Sequence, residues 1–358
     1  MFGKFMNNYY YGKSGKGDFR KEDLPETRKQ LFFDTLRVRL SALFRINLLY
    51  MIVFLPMMIV LILSFTQMLS VFNIKYTADT NDYGTFVESF QKNGQQVSIT
   101  EEQYNDIRNQ SLSIDDMIYS TNLINHDGNT RLPPDIFLLL IPCIAITGPF
   151  TSGLSYITRN WARNEHAFIW SDFKDAVKDN WKQGLVLSTI TSVLPVLVYV
   201  GWEFYGQMAG QNPIMFVPQV LIALIALIWA ISITYMHPLA VTYELKMKDV
   251  IRNGVLLAIA RLPMSVGIRL LHCVPVIIGL ALIYLWNPMI GMLILFAYYF
   301  LIGFSLSRFV TASYTNAVFD RFINPRIEGA KVNQGLRKSE EDDEEDEADD
   351  TDGKDKEG

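Results

Sequence analysis

From Ile46 to Ile74 the chain carries no charged residue, and uncharged runs of similar length recur along it. Hydrocarbon offers the backbone no hydrogen-bond partners, so a crossing segment has to bond within itself. As a helix it needs about 20 apolar residues to span a bilayer. Ile46–Ile74 is the first such run, Ile136–Thr158 the second and Gln183–Trp202 the third. Phe204–Tyr243 has no Asp, Glu, Lys or Arg but opens with the Gly-rich stretch Gly206–Pro213, which places the fourth span at Ile214–Met236. Between Arg269 and Arg308 charge is again absent, and Asn287-Pro288 breaks that stretch as a turn signal. The fifth span is therefore expected at Pro263–Leu285 and the sixth at Met289–Ser307. Arg269 then snorkels from the inner end of the fifth. The expected fold is all-α, a polytopic membrane protein with six transmembrane helices.

Lysine and arginine set the orientation. Residues 1–45 hold ten, 159–182 five, 237–269 five and 308–358 eight, against four in the 73–135 connection. All the basic-rich segments fall on one side, so both termini are expected in the cytoplasm of a bacterial plasma membrane. Five of the six tryptophans (Trp161, Trp170, Trp181, Trp202, Trp286) sit near expected span ends, where amphipathic rings gather. The first apolar run starts too far in for a cleaved signal peptide and reads as a retained anchor.

Three regions follow: 1–45, a cytoplasmic segment with an amphipathic helix; 46–325, a six-helix membrane domain including an extracellular loop at 75–134; and 326–358, a disordered acidic cytoplasmic tail. After Pro25, the spacing of Phe32, Phe33, Leu36, Leu40, Leu43 and Phe44 predicts a helix lying on the inner leaflet. The bland alternative is a plain extension of the first span. In the loop, Thr100 is expected to cap a helix ending near Asn109. The loop offers few apolar residues for a core. Thirteen of the 37 acids lie between Glu340 and Glu357, so without residues 339–358, which also hold two lysines, the net charge changes from −5 to +6. A run of one charge stays solvated and unfolded.

Two stretches match one another. Lys178-Asp179-Asn-Trp-Lys182-Gln183-Gly184 aligns with Lys248-Asp249-Val-Ile-Arg252-Asn253-Gly254, and a weaker copy surrounds Arg45-Ile-Asn47. Each copy sets a basic amphipathic helix before an outgoing span, which suggests a three-fold repeat of helical hairpins. Any inner-leaflet helix before a span would look alike, which is the simpler explanation. Lys178, Lys182, Lys248 and Arg252 are candidates to face a partner protein or anionic lipid. Gly148, Pro149, Gly184 and Gly254 are candidates for close helix packing, with a ligand-lining break at Gly148-Pro149 as the second reading.

Reactive constellations do not emerge. Gly12-Lys13-Ser14 lacks the glycine five residues earlier that a phosphate loop needs. Asp79–Gly84 starts like a calcium loop but has Phe90 at its twelfth place. His126, His166, His237 and His272 have no ligand spacing, and His272 reads as a core histidine bonded to a neighbouring helix. Cys143 and Cys273 sit in apolar runs and read as reduced thiols. Catalytic, cofactor and metal residues are expected to be absent, and nucleic acid is not an expected partner.

The stretch Thr147–Arg163 (TGPFTSGLSYITRNWAR), then Trp170–Ala176 and Lys182–Leu187, resembles the YesL-like family, multi-span membrane proteins of Gram-positive bacteria classed as a domain of unknown function. Asn47-Leu-Leu49 with Leu55-Pro56, and 244–263 ending in Leu262-Pro263, are similar to it as well. The chain departs from that family's pattern in the long 75–134 loop and in the acidic tail. The resemblance implies a companion of carbohydrate ABC transporters, hence an accessory or regulatory subunit without enzymatic activity. The alternative is a transporter or permease subunit that itself moves a small solute.

Overall fold

A computed structural model describes residues 24–92, 100–109 and 134–337. The Gly12–Ser14 segment, His126 and the acidic tail from Glu340 lie outside them. The described elements are helices α1 (Arg28–Thr80), α2 (Tyr83–Lys92), α3 (Glu101–Asn109), α4 (Pro134–Ala162), α5 (Ser171–Ala209), α6 (Phe216–Thr242), α7 (Met247–Ala260), α8 (Leu262–Leu285), α9 (Pro288–Tyr298) and α10 (Phe304–Phe322). A single π-helical turn, Tyr299–Gly303, joins the last two. Among the described residues six helical stretches are long and apolar enough to cross a membrane: Arg28–Leu63, Leu138–Ala162, Ser171–Ala209, Pro213–Thr242, Leu262–Ile283 and Ile290–Arg326. Their outward side chains are largely Leu, Ile, Val and Phe, as lipid requires.

Three boundaries differ from expectation. The helix expected to lie apart on the inner leaflet before the first span is continuous with it, because α1 runs unbroken from Arg28 to Thr80. Likewise α5 begins at Ser171, with no separate helix before the third span. Nothing between Lys178 and Gly184 stops a helix, and a basic-to-apolar change alters the solvent around a helix without altering its backbone. The third copy does break. Arg261 leaves helical geometry (φ −122°, ψ 34°) and α8 starts at Leu262 with Pro263 in its first turn, where a missing N–H costs nothing. The order of helix, span and second span thus recurs three times among the described residues, fused in the first two copies and interrupted in the third. The sixth span extends past its expected end at Ser307 to Phe322.

Helix starts are locally encoded. Thr27 and Gln30 form a reciprocal capping box: Gln30 N–H donates to Thr27 Oγ1 (3.3 Å) and Thr27 N–H to Gln30 Oε1 (3.1 Å). Thr100 and Gln103 repeat it at the start of α3. Asn287 Oδ1 accepts from Ile290 N–H at 3.1 Å to open α9.

The described residues divide into two compact units, those within Met1–Asn47, Leu154–Asp175 and Leu271–Gly358, and those within Leu48–Gly153 and Ala176–Leu270. In the second, α2 and α3 enclose a small aromatic core of Ala78, Phe86, Phe90 and Tyr104, with Tyr83 and Val87 against it. Tyr104 Oη donates to the carbonyls of Ala78 (3.0 Å) and Asn81. So few apolar residues suffice because four of them are aromatic rings, each with a large contact area. In the same unit Ile231–Ala240 of α6 is buried at every position, so this stretch is surrounded on all faces.

Candidate functional site

In the second unit, two glycines bring helices into backbone contact. A Cβ placed on Gly148 would lie 2.1 Å from Gly184 O, and one on Gly184 would lie 2.6 Å from Gly148 O and 2.8 Å from Pro149 N. Helix α4 passes through Pro149 without a break, although proline removes one i→i−4 hydrogen bond there. Gly254 of α7 meets α6, where its Cβ would stand 2.7 Å from Met236 Cγ. Gly148, Pro149 and Gly184 therefore share one contact, and Gly254 makes another.

Polar side chains near these crossings bond from helix to helix. Thr151 Oγ1 donates to Thr147 O (2.9 Å), so Tyr50 Oη, 2.8 Å away, is the donor to Thr151. Ser265 Oγ donates to Arg261 O (2.9 Å), so Tyr235 Oη likewise donates to Ser265 across 2.5 Å. Ser152 Oγ lies 3.3 Å from His237 Nδ1, Trp229 Nε1–H donates to Thr191 Oγ1 (3.0 Å), and Gln183 Nε2–H donates to Leu245 O (2.7 Å). The last bond ties the segment before α7 to α5.

The first unit holds a second polar centre. Asn47, fully buried, donates through Nδ2 to Tyr299 O (2.9 Å) and Phe300 O (2.8 Å), and its Oδ1 accepts from Ser305 N–H (2.9 Å). A π turn displaces backbone groups from their usual i→i−4 partners, and this one amide serves three of them. His272 Nε2 lies 3.1 Å from Ser307 O; a carbonyl only accepts, so Nε2 carries the proton. Further along, Asp320 pairs with Arg28 at 2.7 Å, and Arg28 also donates to Asn333 Oδ1 (2.7 Å). Arg337 reaches back to Glu26 (3.4 Å), and its N–H donates to Pro25 O (3.0 Å). Gly335, at φ +85°, lies where a Cβ would stand 2.8 Å from Arg163 O. The segment 323–337 is therefore fastened to the start of α1 and to the turn after α4.

Lys178, Lys182, Lys248 and Arg252 are all exposed. Lys182 Nζ lies 5.7 Å from the centroid of Trp181. Asp82 caps α2 and bonds Thr85 Oγ1, which holds its carboxyl below the usual range. Among the described residues no group of three or more His, Cys, Asp or Glu is placed to hold a metal ion, and Cys143 and Cys273 are free thiols. The polar bonds of Asn47, Tyr50 and Tyr235 escaped sequence reasoning. The available signal was a lone polar side chain inside an apolar run, which is costly there and rarely idle.

These features define an all-α, multi-pass membrane protein. The family model described as "Protein of unknown function, DUF624" matches residues 135–202, which span most of α4 and α5 and include both glycines of the Gly148–Gly184 crossing. No curated protein and no solved structure matches the chain.

Proposed function

We propose that this protein is a non-enzymatic accessory or regulatory subunit of the bacterial plasma membrane, with both termini cytoplasmic, that accompanies carbohydrate ABC-type uptake. The observation that carries the reading is the use of its intramembrane polar groups. Tyr50, Thr151, Tyr235, Ser265, Trp229 and Asn47 are engaged in bonds that hold helices to one another. A carrier keeps such groups facing a path for its solute. The link to carbohydrate uptake rests on the resemblance to the YesL-like family. The residues of that resemblance between Thr147 and Leu187 lie inside the matched 135–202 segment.

The rival is a transporter or permease subunit that moves a small solute. The π turn at Tyr299–Gly303 favours it, since interrupted helices often border solute sites. One pair of experiments separates them. The accessory reading expects ABC permease subunits to co-purify from the native host in gentle detergent, and no sugar or ion flux in liposomes holding this protein alone. Unaided flux refutes it.

A further inference from the structure

The two matched copies in the second unit carry the same exposed stripe. At positions i, i+4 and i+8 stand Lys178, Lys182 and Val186 on α5, and Lys248, Arg252 and Leu256 on α7, all six exposed. Residues four apart lie on one helix face, and eight residues cover about 12 Å along the axis. Gly184 and Gly254, six residues beyond the first base of each stripe, are buried on the opposite face. So both copies turn a glycine inward and two bases followed by an apolar side chain outward. Val186 and Leu256 are 42% and 54% exposed, Ile259 continues the second stripe at 55%, and Trp181 flanks the first at 49%.

Acids are present but placed earlier. Asp175 and Asp179 precede Lys182, and Glu244 and Asp249 precede Arg252. None stands between the second base and the apolar end of either stripe. Among the described residues none of the four bases enters an ion pair. The Gln183–Leu245 bond ties α5, which bears the first stripe, to the segment just before α7, which bears the second.

We infer that these paired stripes form a binding surface for anionic phospholipid. The bases take the headgroup phosphates, and Val186, Leu256, Ile259 and Trp181 take the adjoining acyl boundary. A protein partner would need no particular order along the helix. A lipid does, because charge gives way to hydrocarbon over roughly the distance each stripe covers, and tryptophan favours that boundary. The inference does not depend on the accessory reading.

The test uses delipidated full-length protein in neutral detergent, titrated with phosphatidylglycerol or with phosphatidylcholine of the same chains, read as thermal protection and as lipid retained in native mass spectra. Near a surface each base is worth roughly a fivefold change in affinity. The variant K178Q/K182Q/K248Q/R252Q is expected to need at least tenfold more phosphatidylglycerol for half-protection. Its response to phosphatidylcholine should not change. The charge-keeping variant K178R/K182R/K248R/R252K is expected to behave as wild type, and K178Q/K182Q and K248Q/R252Q to show partial losses should the fourfold variant not fold. Inorganic phosphate should not reproduce the protection. Equal phosphatidylglycerol response in wild type and the neutralised variants overturns the inference. So does full protection by phosphate, or a neutralised variant that keeps its lipid and loses a co-purifying protein.

Discussion

Replacing Gly184 by alanine sets two effects of opposite sign against each other. Alanine in a helix is favoured over glycine by about 0.5–1 kcal/mol, because glycine loses more backbone freedom on folding. Against this, the new Cβ would lie 2.6 Å from Gly148 O and 2.7 Å from Gly148 C, both backbone atoms that cannot rotate away. Restoring ordinary contact near 3.4 Å requires α4 and α5 to part by roughly 1 Å, and overpacking of this kind costs about 1–3 kcal/mol. Overpacking wins, and Gly184→Ala is expected to destabilise by about 1–2 kcal/mol. Gly148→Ala is expected to be worse, since its Cβ meets Gly184 O at 2.1 Å. The double variant should cost less than the sum, because helices parted by one methyl have room for the other. Gly267 of α8 has no atom within 4 Å of its Cβ position, so Gly267→Ala isolates the propensity gain and is expected to be neutral or stabilising. The assay is thermal unfolding in detergent, read by alkylation of Cys143 in α4 with Cys273 replaced by serine. A Gly184→Ala protein at least as stable as wild type would refute the argument.

Four further outcomes are expected. Asn47→Ala strips three backbone groups of their partner, each worth about 1–3 kcal/mol when left unsatisfied, and should lower the thermal midpoint far more than alanine at an exposed site. Gly335→Ala forces a Cβ onto a left-handed residue facing Arg163 O; limited proteolysis should then cut at Lys331 and Arg337 faster, with the membrane helices unaffected. Asp82 has a folded pKa lowered chiefly by its bond to Thr85, so its contribution is present above the ordinary value of 3.8 and is lost as pH falls through the lower folded value. Hydrogen exchange at Phe86 should therefore quicken only in acid, and Thr85→Val should remove that dependence. In a cysteine-free background, Glu88→Cys should react with impermeant thiol reagents on intact cells and Ser339→Cys should not; the reverse pattern refutes the orientation.

What was legible in the chain were the features settled within a few residues. Charge-free runs gave the six spans, because crossing hydrocarbon is a demand on each segment separately. Thr100 and Asn287-Pro288 marked a helix start and a turn through bonds to residues three away. That the inner part of α1 is continuous with the first span was not decided by the sequence, since amphipathic spacing reports the faces of a helix and says nothing of where the helix ends. Pairings over long separations were not legible. Arg28 and Asp320 are 292 residues apart, and neither differs in type from a solvated surface charge. The π turn was equally hidden, because Tyr299–Gly303 has the composition of any span. Only the lone Asn47, opposite it in space, hinted that some backbone needed a side-chain partner.

Asn47, Gly184 and Gly254 occupy one register position in the three sequence copies, and each is a point of helix contact. Gly184 meets Gly148 of α4, Gly254 meets Met236 of α6, and Asn47 meets the turn between α9 and α10. In each case the partner is the second span of a different copy. The chemistry nevertheless differs, and the partner helix explains why. Helix α4 is continuous at Gly148, and what residue 184 contributes there is proximity, which only glycine permits. The turn at Tyr299–Gly303 has carbonyls that lack their usual donors, and a glycine at 47 would leave them bare inside an apolar span. Asparagine at 184 would in turn drive its Cβ into the backbone of Gly148. The residues are therefore not interchangeable although their positions align in the sequence copies. Different side chains at matching sequence positions leave only a faint trace of one copy in another, in keeping with the copy around Asn47 being the weakest of the three.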